Sequence, residues 1–271
     1  WPYYAEHLIL ATPDNGVAAA MYAACKATVK VGDGNEISLH EQTNYPFEET
    51  IRFTVNTPKA VSFPFYLRIP SWTEGATIFV NGKKVAANPE VGQYACINRE
   101  WKDNDQVEIQ LPMQLSMRTW QVNKNSVSVD YGPLTMSLKI DEDYVKKDSR
   151  ATAIGDSKWQ EGADASQWPT YEIYAKTPWN YALVLGKNEP LKDFKVVHKE
   201  WPADNFPFTV ASTPIEVKAI GRKVPSWVID QYDLCSELPE MDAPKGEKEE
   251  ITLIPMGAAR LRVSAFPNTR E

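Results

Sequence analysis

Acid–base chemistry across one bond needs two carboxyl groups about 5–9 Å apart on either side of it. The adjacent acids of this 271-residue sequence are Glu48-Glu49, Asp141-Glu142-Asp143 and Glu249-Glu250. Neighbours along a strand point to opposite faces, so adjacency alone makes no acid/base pair, and these groups read as solvated surface. Cys25, Cys96 and Cys235 are scattered, as are His7, His40 and His198, and none shows metal-ligand spacing. Cys25 has no activating His in its neighbourhood and reads as a small half-buried apolar residue. There is no Gly-x-Ser-x-Gly elbow and no phosphate-cradling glycine loop; Gly32-Asp33-Gly34 closes a hairpin. What remains are aromatic side chains able to stack on the apolar face of a ring. Trp159, Trp168 and Trp179 are the candidates, each in or beside a loop; otherwise they plug those loops onto a sheet.

Any such residue must be positioned by strands. Phe63, Phe65, Leu67 and Ile69 alternate with Pro64, Tyr66, Arg68 and Pro70, the period of a strand with one buried face. Pro70 ends that ladder because it has no N–H to donate. Ala76, Ile78 and Val80 share the face of a second strand, and Asn81-Gly82 supplies the positive φ values of a type I′ turn. Ile51, Phe53 and Val55 point inward in one run, and Val107, Ile109 and Leu111 in another. Thr12-Pro13-Asp14-Asn15-Gly16 is a turn, Val17 to Cys25 reads as strand, and Ile37 and Leu39 share a face. Trp101 to Asp105 reads as a turn carrying an aromatic plug.

Short strands separated by turn signals predict an all-β protein of two consecutive antiparallel, jelly-roll-like sandwiches. The first covers residues 1–113 and the second 114–271. In the second, 114–125 reads as a connector, 141–169 and 224–249 as long loops, and Leu134 to Ile140 and Arg260 to Phe266 as strands. The longest apolar runs fall far short of the ~20 residues of a membrane span. A net charge of −7 without basic clusters argues against nucleic acid and anionic membrane as partners.

Leu67-Arg68-Ile69-Pro70-Ser71-Trp72, Val80-Asn81-Gly82, Trp101 with Asp105-Gln106-Val107, Leu111-Pro112-Met113 and Tyr131-Gly132-Pro133-Leu134 occur in an order that resembles bacterial β-L-arabinofuranosidase-like enzymes, glycoside hydrolase family 127 and relatives. Ala11 to Ala19 is similar to the segment following their catalytic domain. Thr177-Pro178-Trp179-Asn180-Tyr181 and Leu253-Ile254-Pro255-Met256-Gly257 resemble the C-terminal region of many Bacteroidetes members. The resemblance implies a catalytic (α/α)6 barrel elsewhere, with a cysteine nucleophile held at zinc by further cysteines and a glutamate. Another glutamate acts there as acid/base. No position here matches those residues: no Cys-Cys pair occurs, so no catalytic, cofactor or metal residue is assigned to this chain and zinc is expected in the barrel.

The chain begins at Trp1 without methionine, which reads as a processed protein or a piece of a longer one. The expectation is a non-catalytic sandwich portion, inactive alone, whose partners are the parent's own barrel, a second copy and, in an alternative reading as a carbohydrate-binding module, glycan at the three tryptophans. The expected location is periplasmic or extracellular.

Overall fold

A computed structural model describes residues 2–85, 90–152, 162–164, 166–232 and 234–271. Strands take up 46% of the chain and helix 4%, so the fold is all-β. It divides into two compact units, one of Trp1–Leu115 with Tyr131–Leu134, the other of Ser116–Asp130 with Thr135–Glu271.

The first unit stacks two sheets. One holds β1 (Ile9–Ala11), β2 (Val17–Ala19), β6 (Val61–Arg68) and β9 (Tyr94–Trp101), in that order. The other is ordered β3 (Cys25–Val31), β4 (Asn35–Gln42), β5 (Thr50–Asn56), β10 (Asp105–Gln110), β7 (Thr77–Val80) and β8 (Lys83–Lys84). Alternation dictates the packing. Phe63, Phe65 and Leu67 of β6 face inward against Ile51, Phe53 and Val55 of β5, and all six are buried. Phe53 and Phe65 meet edge to face at 5.2 Å. Each such ring contributes roughly 1.5–3 kcal/mol by leaving water.

Trp101 ends β9 inside this core, fully buried, and its indole N–H donates to the Phe63 carbonyl at 3.0 Å. The turn itself is Lys102 to Asn104, so the plug belongs to the strand. Asn81 and Gly82 adopt φ of 49° and 75° between β7 and β8, as a tight hairpin requires. Gly16 is needed for a different reason: a Cβ there would lie 2.3 Å from the Pro64 carbonyl oxygen.

In the second unit the main sheet runs β11 (Leu115–Trp120), β12 (Ser126–Tyr131), β13 (Leu134–Leu138), β19 (Lys248–Pro255), β18 (Ile215–Lys223), β16 (Tyr181–Leu185) and β20 (Asn268–Arg270). An eighth strand, β17 (Lys195–His198), pairs with the first half of β18 while β16 pairs with its end, so the sheet forks there. A separate ribbon joins β14 (Glu142–Lys147) to β15 (Thr170–Ala175).

Four expectations need correction. Val17 to Cys25 is not one strand: β2 and β3 lie in different sheets, and Ala20 and Met21 between them donate to the Leu8 carbonyl. The connector 114–125 contains β11, an edge strand pinned to β12 by the two-pronged Arg118–Asp130 pair at 2.6 and 2.9 Å. The supposed loop 141–169 begins with β14, held to β15 by cross-strand Tyr144–Tyr171 and Lys147–Glu172 pairs instead of a buried face. Arg260 to Phe266 is not a strand: the Val263 carbonyl accepts from the Leu138 N–H, and Phe266 forms an isolated bridge in which it exchanges both backbone bonds with Val127.

Candidate functional site

The acidic neighbours serve structure. Glu48 accepts from the Asn44 side-chain amide, Glu49 from the Met113 N–H at 2.7 Å, and Asp143 and Glu249 pair with Lys176 and Lys223. Glu142 accepts from the Arg260 N–H at 2.8 Å. Asp141 and Glu250 line one hollow of about 400 Å³ with Lys139 and Tyr181.

The aromatic candidates are dispersed. Trp159 lies outside the described residues. Trp168 is 68% exposed, and its carbonyl accepts from the Ser149 hydroxyl. Trp179 is half-buried, set edge-on against Trp227 at 5.1 Å, in a small core with Ala182 and Val224. Its free side lines a groove of about 690 Å³ with Tyr174, Ile229, Cys235 and Arg262, which Trp168 does not line. The structure therefore brings Trp179 together with Trp227, not with Trp168. The groove can take a small ligand with an apolar face, but it holds no acid/base pair.

Sequence reasoning passed over the most perturbed carboxyl. Glu41 on β4 is 1% exposed, on the inward face it shares with Ile37 and Leu39. Burial pushes its pKa up to about 8, against the Ala23 N–H at 3.0 Å and the Cys25 thiol at 3.7 Å, which favour the charged form. Burial and the Glu41 charge in turn push the Cys25 thiol up to about 11. A thiol held protonated is a poor metal ligand and a poor nucleophile. Among the described residues no three His, Cys, Asp or Glu side chains converge as a metal site would need. The donor set here does not fit a zinc ion of the kind the resemblance implies.

The class of chain is thus an all-β protein of two compact units. Comparison narrows it. Residues 16–113 match the family model described as β-L-arabinofuranosidase, GH127 middle domain, so this region is GH127-like, and the (α/α)6 barrel is not among the described elements. No curated protein matches. Among solved structures, a GH127 β-L-arabinofuranosidase from Geobacillus stearothermophilus T6 aligns with 97% of this chain and 35% of its own, at 21% identity and a TM-score of 0.61. A structure described as a glycoside hydrolase aligns at 22% identity over 95% of this chain and 36% of its own, TM-score 0.59. A GH127 β-arabinofuranosidase aligns at 19% identity over the same shares, TM-score 0.59. Nearly the whole fold is shared, and the chain spans about a third of the length of each of these proteins.

Proposed function

We propose that this chain is the non-catalytic β portion of a glycoside hydrolase acting on arabinofuranose-type plant glycans. It supports a helical catalytic barrel, where zinc would be held, and contributes to a homodimer. The observation that carries this reading is the match of residues 16–113 to a GH127 middle domain, inside a fold shared over 95–97% of the chain with proteins about three times as long. On this reading the first unit acts through shape and rigidity. Its buried aromatic core is suited to being a fixed support.

The test is a chromogenic arabinofuranoside assayed with this chain alone and with the same chain joined to the upstream region of its parent. Turnover only in the joined protein is the expected result. Zinc-dependent turnover by this chain alone would overturn the reading. A second reading, a glycan module in the second unit, is favoured by one observation, the exposure of Trp179 to its groove. There, fluorescence quenching by arabinan oligosaccharides that vanishes in Trp179→Ala is the expected sign.

A further inference from the structure

The four-stranded sheet of the first unit has one face in the core, and its other face is not uniformly polar. Leu10 of β1 lies across from Ala18 of β2, Ala18 from Tyr66 of β6, and Tyr66 from Cys96 of β9. One row of small and apolar side chains therefore crosses the whole sheet. On the next row Arg68 is paired with Tyr94, which sets Tyr94 diagonal to Tyr66 on the same face, at a spacing of about 7–8 Å. Tyr94 is 47% exposed and Leu10 38%. Beyond these two rows the face turns polar, with exposed Ser62, Asn98 and Glu100. Thr12, Pro13 and Asp14, from the turn between β1 and β2, complete a hollow of about 500 Å³ with Ala18, Tyr66 and Tyr94.

The hollow is also pre-ordered. The Tyr66 hydroxyl donates to Asp14 Oδ2 at 2.6 Å, and the Thr12 hydroxyl donates to Asp14 Oδ1 at 2.5 Å. Those bonds, Thr12 first and Tyr66 second, hold the Asp14 carboxyl below its ordinary range, so it is charged at neutral pH. A carboxylate offers about four lone-pair positions, so two side-chain donors leave room for others. Asp14 is exposed, and so is Arg68 one row away. An anchored ring, a second ring beside it and a charged acceptor form an ordered set, with Arg68 on the same face in the next row.

We propose that this face binds a neutral oligosaccharide, one sugar ring lying over Tyr66 and Tyr94 with its hydroxyls bonded to Asp14 and Arg68. Three competing occupants fit less well. A quaternary ammonium needs rings that face one another as a cage, whereas neighbours on one sheet face stand side by side; Arg68 also repels it. A nucleic acid strand would meet Asp14 on a protein of net charge −7. A second copy would need about 800 Å² per partner, and the apolar area here gives way to Asn98, Ser62 and Glu100 on one side and stops with β6 and β9 themselves at Arg68 and Tyr94 on the other.

The experiment is isothermal titration of this chain with arabinohexaose, xylohexaose and cellohexaose in parallel, with light scattering on the same samples. The proposal expects saturable binding of at least one of them. Tyr94→Ala should weaken it about tenfold with the thermal midpoint unchanged, because the side chain is exposed. Tyr66→Phe keeps the ring and loses the anchor, and should weaken binding about threefold. Tyr232→Ala, at a 72% exposed tyrosine of the second unit, should leave it unchanged. Absence of binding to all three sugars overturns the proposal, as does binding indifferent to Tyr94→Ala. Loss of binding in Trp179→Ala instead moves the site to the other groove and also overturns it. Self-association abolished by Tyr94→Ala, with no sugar bound, would make a second copy the occupant. None of these outcomes bears on the arabinofuranoside assay, so this proposal and the scaffold reading fail separately.

Discussion

Among the described residues each unit buries one glutamate in its main sheet, and the two are treated in opposite ways. Glu41 of the first unit sits behind Ile37 and Leu39 with one backbone N–H and one thiol beside it, and its pKa rises to about 8. Glu216 of the second unit is 7% exposed, but Lys139 and Lys199 reach Oε1 at 2.9 and 3.2 Å and Lys218 approaches Oε2 at 3.7 Å. Burial raises the pKa of Glu216 too; the bonds and charges of Lys139 and Lys199 outweigh it and hold the group below its usual value. The first unit thus coheres through apolar packing and tolerates a carboxyl by neutralising it. The second spends charges on holding strands together, as the Arg118–Asp130 pair between β11 and β12 also shows. Stability in the two regions should therefore answer to different perturbations.

The largest effect expected is that of Trp101→Ala. It removes a fully buried indole packed against Phe63 and Phe65 and leaves the Phe63 carbonyl without its donor. A loss of about 4 kcal/mol should follow, read as faster hydrogen exchange in β5, β6 and β9. A loss below about 1 kcal/mol would mean that the aromatic core is not what holds this unit.

Next comes pH. Between about pH 4.5 and 8 the folded first unit keeps a proton on Glu41 that the unfolded chain releases, so its stability falls as pH rises through that window and levels off above it. Glu41→Gln should flatten the profile and stabilise the unit at pH 8.5 by on the order of 3 kcal/mol. Denaturant midpoints at pH 5 and 8.5 for both proteins decide the matter, and parallel profiles would refute the assignment. Glu216 should show the reverse sign in the second unit: its contribution is present above about pH 4.5 and is lost as pH falls through its lowered folded value. Glu216→Ala should cost about 1.5 kcal/mol, since the three lysines are each about a third exposed and stay partly hydrated. Added salt should shrink that difference but leave the effect of Trp101→Ala untouched.

The same contrast explains what could be read in the sequence. Strands β5, β6 and β10 each bury one face, so Phe63, Phe65 and Leu67, or Val107 and Ile109, announce themselves by period two. In the second unit β12 and β16 are buried on both faces, and their alternation carries no orientation. Strands β11 and β14 are hidden for the opposite reason: partners hold them by ion pairs, and neither face is consistently apolar. Glu41 was legible in principle, being the next inward position after Ile37 and Leu39, although its missing cation was not. Trp179 could be named from its loop, but only the fold shows that Trp227 already occupies one of its edges. The hollow at Tyr66 and Tyr94 depends on a register across four strands, which no single strand encodes.

The most local effect probes the hairpin that closes the six-stranded sheet, where backbone strain and side-chain bonding can be separated. Asn81 holds φ at 49°, its side-chain amide donates to Asp105 Oδ1 and its side-chain oxygen accepts from the Gln106 N–H, both at 2.8 Å. Asn81→Ala loses both bonds and keeps a Cβ in the left-handed region, and should cost about 1–2 kcal/mol. Asn81→Gly loses the same bonds without the steric penalty, so its cost should be about half as large. Both should speed exchange at β7 and β8 before β5. Equal losses in the two variants would assign the whole effect to the bonds between Asn81 and β10. The first unit would then depend on a polar clasp at its edge as the second does throughout, and the contrast between them would narrow to the core.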